Sequence, residues 1–112
     1  MIPSVGLVVL ICAVAVNALA HPQCNAVGID EILGSETYTL EPAYLQPSIR
    51  DYKVNIPHVP QCTDGEVGVR AIICDDDVAP IGKLVDLNTL FINRRGNLQN
   101  IGSVSVTVYC RN

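Results

Sequence analysis

The cysteines constrain the fold of this chain more than any other feature. Four of the five lie beyond residue 20, at Cys24, Cys62, Cys74 and Cys110, and the fifth is Cys12. An even number of cysteines in a short secreted chain predicts disulfide bonds, here two. A domain of about this size has only a small core, and each disulfide typically adds about 2–4 kcal/mol of stability. We therefore expect a small domain that depends on two disulfides.

The N-terminal segment has the features of a secretory signal peptide. An unbroken apolar run extends from Leu7 to Val16, which is shorter than the roughly 20 residues of a membrane span and fits the apolar region of a signal. Ala18-Leu19-Ala20 resembles a cleavage site, although no Lys or Arg precedes the run. We predict a signal peptide over residues 1–20 and one extracellular domain over residues 21–112. Cleavage would remove Cys12.

The charge of the chain argues against two classes of partner. The formal net charge is −4 at pH 7, whereas a nucleic-acid-binding domain carries a basic patch. An anionic membrane surface is disfavoured for the same reason. We therefore expect a protein partner, no nucleic acid, and no membrane once the signal is removed.

Alternating apolar and polar residues predict a β-rich domain. Val104, Val106 and Val108 alternate with polar residues in the clearest strand, which ends at Cys110. A second strand over residues 67–74 has an apolar face. That face consists of Val67, Val69, Ala71 and Ile73. Further candidates are residues 24–32 and 52–56 and the shorter segment 36–40, while residues 84–92 fit either a strand or a helix. Frequent prolines disfavour long helices.

The predicted fold class is mostly β, a small disulfide-stabilised β-sandwich or barrel of five or six short strands. Turns are expected at Asp64-Gly65 and over residues 93–97, where Gly96 is free to take a positive φ. Four cysteines allow three pairings, and the sequence does not choose among them. We favour Cys24–Cys62, which would tie the first strand to a loop, and Cys74–Cys110, which would hold the end of the last strand.

No arrangement of residues predicts catalysis. Neither His21 nor His58 has a nucleophile or carboxylate at a spacing typical of a catalytic triad, and no catalytic or phosphate-binding motif occurs. We therefore predict a non-enzyme without catalytic residues. Residues 75–77 are three consecutive aspartates that could hold Ca²⁺, but a solvated acidic turn is favoured. A copper site made of the two histidines is disfavoured because it has too few ligands. No metal or cofactor is expected.

Arg94 and Arg95 are the predicted protein-binding residues. They lie in the predicted turn before the last strand, exposed loops often carry function, and arginine is favoured at interface hot spots. The alternative is that the pair only keeps a hairpin soluble. The four tyrosines are amphipathic and are either half-buried sheet residues or contact residues. They are Tyr38, Tyr44, Tyr52 and Tyr109.

Several segments resemble the small secreted effectors of plant-pathogenic fungi, the MAX or ToxB-like group. They are residues 23–27, residues 49–54 leading to Cys62, and residues 90–93 before the closing strand. The resemblance implies a six-stranded β-sandwich with a Cys24–Cys62 disulfide, no enzymatic activity, and binding to host proteins. Whether such an effector stays outside cells or is translocated into host cells is left open by the sequence. Residues 75–86 have no place in the six-strand pattern.

A second resemblance concerns residues 89–110, which are similar to the closing hairpin of Spätzle-type cystine-knot cytokines. That family usually ends in a C-x-C pair, and four cysteines cannot form a knot of three disulfides. The sequence therefore predicts a secreted, non-enzymatic, protein-binding domain, and the resemblance to the fungal proteins implies that it acts as a virulence effector. The alternatives are an extracellular cytokine-like signalling ligand, a secreted inhibitor and a small hydrolase.

Overall fold

The computed structural model of this chain describes residues 22–31 and 36–111. The predicted signal peptide and His21 lie outside the described residues. Eight strands and no helix are found in the described part of the chain. They are β1 (Pro22–Ile29), β2 (Thr37–Thr39), β3 (Ala43–Leu45), β4 (Asp51–Asn55), β5 (Glu66–Asp76), β6 (Ile81–Asp86), β7 (Thr89–Asn93) and β8 (Gly102–Cys110). The predicted β-rich class is confirmed, but five or six strands are too few.

The strands form two antiparallel sheets. The large sheet has the order β1-β5-β8-β2. β2 pairs with the end of β8, and β3 pairs with the beginning of the same strand. The small sheet has the order β4-β7-β6. β5 and β8 are the longest strands, with 11 and 9 residues. They form the centre of the large sheet, since every other strand of that sheet pairs with one of them.

The core lies between the two sheets, and the sequence pattern predicts most of it. The buried face of the large sheet consists of Val69, Ala71 and Ile73 from β5 and Val104, Val106 and Val108 from β8, all at most 7% exposed. Leu90 and Ile92 of β7 belong to the same cluster. Val67 departs from the prediction and is half-buried, because the register shifts between Glu66 and Gly68.

The ambiguous residues 84–92 form parts of two strands joined by a tight turn. β6 and β7 pair with each other, and Leu87 and Asn88 form the tip. The backbone N–H of Asn88 donates a 2.8 Å hydrogen bond to Oδ1 of Asp86. This bond lowers the pKa of Asp86 below its ordinary value, because it favours the ionised carboxylate. The predicted turn at Gly65 is confirmed by a φ of 92°, whereas Gly96 does not have a positive φ.

The favoured disulfide pairing is wrong. The disulfides are Cys24–Cys74, with 4.1 Å between the Cα atoms, and Cys62–Cys110, with 5.0 Å. The physical reason is the antiparallel pairing of the two central strands. Cys74 lies near the end of β5 opposite Ser103, at the beginning of β8, whereas Cys110 ends β8 opposite Glu66. The C-terminal ends of β5 and β8 therefore lie at opposite ends of the sheet, too far apart for a bond.

The observed disulfide pairs follow from the same antiparallel arrangement of strands. Cys24 lies directly opposite Cys74 in the β1–β5 pair. Cys62 precedes β5, and the turn at Gly65 keeps it near the end of β8, where the N–H of Arg111 donates to the carbonyl oxygen of Gly65. The first disulfide thus joins two neighbours within the sheet, and the second joins the end of β8 to the turn that precedes β5.

Candidate functional site

Arg94, one of the two predicted contact residues, is buried. Its exposed fraction is 0%, so the prediction of an exposed loop residue is wrong. Its Nε and Nη2 donate hydrogen bonds of 2.8 and 3.0 Å to the carboxylate of Asp75. The remaining N–H groups donate to the carbonyl oxygens of Gln46, Ile49 and Asn100. All five donors of a guanidinium can be satisfied by this set.

The acidic run at residues 75–77 is likewise not a solvated turn. Asp75 is 0% exposed and Asp76 is 8% exposed, and only Asp77 is exposed. Asp76 accepts a hydrogen bond from the side-chain amide of Asn100. The Asp75 carboxylate raises the pKa of Arg94 above its ordinary value through the hydrogen bonds between them. This cluster joins β5 to the loops that follow β3 and β7, and we assign it a structural role.

The remaining sequence candidates stay apart. Arg95 is exposed, and its contact role remains a prediction. The side chain of His58 is 84% exposed, and its Nδ1 lies 3.7 Å from a carboxylate oxygen of Glu66. Among the described residues, no three His, Cys, Asp or Glu side chains are grouped so that they could hold a metal ion.

The outward face of the small sheet carries a group of exposed apolar and basic side chains that the sequence analysis missed. We call it the Phe91 face and define it by Lys53, Ile81, Lys83, Val85 and Phe91. Phe91 is 43% exposed, Ile81 is 48% exposed and Val85 is 49% exposed. Because neighbouring residues of a strand point to opposite faces, the burial of Leu90 and Ile92 places Phe91 outward. A hollow of about 180 Å³ lies beside it.

The strand register aligns the charges on this face. Lys53 of β4 lies opposite Phe91, and Phe91 lies opposite Lys83 of β6, so one row across three strands reads lysine, phenylalanine, lysine. Asp51 occupies the next row, where it accepts a 2.6 Å hydrogen bond from the side-chain amide of Asn93. The alternation in β4 was visible in the sequence, but the register that brings these side chains together was not.

A second candidate is an apolar groove where the sandwich is open at one side. It has a volume of about 340 Å³ and lies between the connection from β2 to β3 and strand β4. Its lining residues are Leu40, Glu41, Ala43, Val54, Asn55, Ile56, Pro57, Val104 and Val106. Glu41 is the sole ionisable residue among them. The groove therefore offers apolar contact but few groups that could form a specific ion pair or hydrogen bond with a ligand.

In its fold, the protein is a small β domain of two sheets with two disulfides. No protein-family model matches the chain, and neither a curated protein nor a solved structure matches it. Within the described residues, no helix has the length and apolar character needed to cross a membrane. The resemblances to fungal effectors and to cystine-knot cytokines remain hypotheses.

Proposed function

We propose that this protein is a secreted, non-catalytic domain that acts by binding another protein through the Phe91 face. The observation that carries the proposal is the exposure of three large apolar side chains on one sheet: Phe91, Ile81 and Val85 are each more than two-fifths exposed. Grouped apolar side chains at a surface are typical of interaction sites, and aromatic residues are enriched in interfaces. Arg94 no longer competes for this role, because it is buried.

Two further observations support an extracellular binding role. The two disulfides fit an oxidising compartment, as does the signal peptide that the sequence predicts. The side chains of the Phe91 face are aromatic, aliphatic, or cationic amines. Such groups supply contact area and charge, whereas nucleophilic catalysis requires a nucleophile beside a base.

The effector hypothesis is the specific form of this proposal that the fungal resemblance implies. In that form the partner is a host protein, and the chain is made by a pathogen during infection. Transcript levels in infected tissue test this form separately from the binding site. Strong induction on infection supports an effector, while expression confined to the immune or developing tissue of the producing organism favours a cytokine-like ligand.

Capture of a partner by the immobilised domain, residues 21–112, tests the binding site. Phe91→Ser should weaken the affinity for the captured partner at least tenfold, because a central aromatic contact is lost. Tyr44→Ser is the matched control, since Tyr44 is an aromatic residue that is 59% exposed on the large sheet. Affinities are measured by surface plasmon resonance, after circular dichroism has shown that both variants are folded.

The two variants separate the outcomes. Loss of affinity in Phe91→Ser with no change in Tyr44→Ser supports the Phe91 face. Equal affinity of Phe91→Ser and the unmodified domain contradicts it. Loss of affinity only in an Arg95→Ala variant would instead place the binding site in the loop around Arg95, as predicted from the sequence.

A further inference from the structure

The chain has only two lysines, Lys53 and Lys83. On the outward face of the small sheet they lie on either side of Phe91, which is the exposed aromatic residue of that face. Both are exposed, and both are direct register neighbours of Phe91. The chain as a whole is acidic, with a formal net charge of −4. Positive charge is thus placed next to the apolar centre of the Phe91 face, in a molecule that is otherwise dominated by carboxylates.

Neither lysine forms an ion pair with a residue in the described part of the molecule, although the charge of Lys53 adds to the Asn88 hydrogen bond in lowering the pKa of Asp86. The ion pairs there, defined by a nitrogen–oxygen distance of at most 4.0 Å, join His58 to Glu66, Arg70 to Glu31 and Arg94 to Asp75. A partner that covers Phe91 also takes water away from the two ammonium groups beside it. Desolvating a charge without a counter-charge is costly, so the partner needs carboxylates in those places.

The sheet sets the spacing that the partner must match. Neighbouring strands lie about 4.8 Å apart. The Cα atoms of Lys53 and Lys83 are therefore separated by about 10 Å, with Phe91 midway between them. The complementary surface is an apolar side chain flanked by two carboxylates at a comparable spacing.

The carboxylates around the row of Lys53, Phe91 and Lys83 favour a short acidic segment over an extended polyanion as the ligand. Asp51 lies one row away on β4, and Asp86 lies at the turn that joins β6 to β7. A sulfated sugar chain or a nucleic acid crossing the face would meet these carboxylates and be repelled. A protein segment can place its negative charges beside the lysines alone.

We infer that the Phe91 face recognises an acidic protein segment in which two carboxylates flank one apolar side chain. The inference rests on the proposed function, since it names the partner chemistry of the same face. Phe91 contacts the apolar side chain, and Lys53 and Lys83 each pair with a carboxylate. Electrostatic complementarity of this kind contributes mainly to specificity and to the association rate.

Nuclear magnetic resonance titration with synthetic peptides tests the inference. The probe is a peptide with the core Glu-Ser-Leu-Ser-Glu, added to the isotope-labelled domain of residues 21–112. We expect chemical-shift changes centred on Lys53, Phe91 and Lys83, and a decrease in affinity as salt is added. A peptide with lysine in place of both glutamates should bind at least tenfold more weakly.

Charge reversal provides the matched variants. Lys53→Glu combined with Lys83→Glu should abolish binding of the acidic peptide and create binding of the lysine peptide. Arg111→Glu, which reverses an exposed charge beyond the end of β8, should leave both affinities unchanged. Equal binding of the two peptides, shift changes elsewhere, or tighter binding of a heparin oligosaccharide at this face would overturn the inference.

The test distinguishes this inference from the proposed function. If Phe91→Ser weakens binding of the captured partner and the Lys53→Glu, Lys83→Glu double variant does not, the Phe91 face is the binding site. The inferred preference for an acidic segment is then wrong. If neither change affects the partner, both proposals fail.

Discussion

Arg94 illustrates how one residue can be misjudged when its neighbours in the sequence are known but its neighbours in space are not. An arginine pair before a glycine predicts an exposed turn, and Arg95 is indeed exposed. In the structure Leu90, Ile92 and Arg94 fall on the same inward face, but the sequence does not reveal this phase, because Phe91 between them is apolar as well. Only the burial pattern of the folded strand places Arg94 inward.

Asp75 follows the same rule on β5, two residues after the buried Ile73. Asp75 could thus be placed on an inward face from the alternation of β5, whereas Arg94 could not be placed in this way. Their pairing could not be predicted, because the two residues are 19 positions apart and meet only when the two sheets pack. The identity of a buried partner depends on the register and packing of the whole fold.

Removal of Arg94 should destabilise the protein strongly. Arg94→Met leaves Asp75 buried without its cation, and breaking a buried pair in this way typically costs about 3–5 kcal/mol. Chemical denaturation monitored by circular dichroism measures the free energy of unfolding. Arg95→Met is the control and should change it by no more than about 0.5 kcal/mol, as expected for a surface position.

Equal stability of the two methionine variants would contradict the structural role of Arg94. A third variant checks the cause of the loss. Arg94→Met combined with Asp75→Leu removes both charges, and it should recover much of the lost stability because no unpaired charge remains buried.

At the scale of the strand, the alternation of apolar residues predicts β5 and β8 but not how they pair. The buried face of β8 follows the sequence pattern at each of Val104, Val106 and Val108. The short strand β2 lies within the predicted residues 36–40, whereas β3 has only three residues, too few for periodicity to identify. The antiparallel register of β5 and β8, which decides the disulfides, comes from contacts across the sheet and has no local signature.

Gly68 provides a test of the packing at the beginning of β5. A Cβ atom at this position would lie 2.2 Å from the carbonyl oxygen of Asp30, a backbone atom. Gly68→Ala therefore requires the backbone to move, and we expect a loss of about 1–3 kcal/mol in the free energy of unfolding. Chemical denaturation measures the change.

Gly28→Ala is the matched control for Gly68→Ala. There a Cβ would lie 2.8 Å from Cδ of Glu31, a side chain at the exposed end of β1 that can rotate away. The control should lose clearly less stability than Gly68→Ala. The reverse order would contradict the close approach of the chain after β1 to β5.

At the scale of the whole molecule, the sequence predicts the class of fold and the number of disulfides, because both depend on composition and periodicity. It does not predict the Phe91 face, because that face exists only when three strands lie side by side in one register. Phe91 and the two lysines come from separate segments, and nothing in any one segment distinguishes them from ordinary strand residues.

The two disulfides should differ in accessibility. Cys24 is exposed and Cys74 is half-buried, whereas Cys62 and Cys110 are 8% and 3% exposed. A thiol reductant reaches an exposed sulfur first, so limited reduction should open Cys24–Cys74 before Cys62–Cys110. Alkylation of the freed thiols followed by peptide mass spectrometry identifies which pair opens.

Denaturant provides the control for the reduction experiment. Unfolding exposes all four cysteines, so the difference in rate should disappear. Faster opening of Cys62–Cys110 in the native protein would contradict the burial of that disulfide, and peptides joined as Cys24–Cys62 would contradict the pairing itself.

The central claim is that the molecule binds its partner through the outward face of the small sheet. Cross-saturation nuclear magnetic resonance on the complex with the captured partner tests it most directly, because saturation passes only to residues at the interface. We predict transfer to Phe91, Ile81 and Val85, with Tyr44 and Arg95 unaffected. Transfer confined to the large sheet or to the loop around Arg95 would contradict the claim.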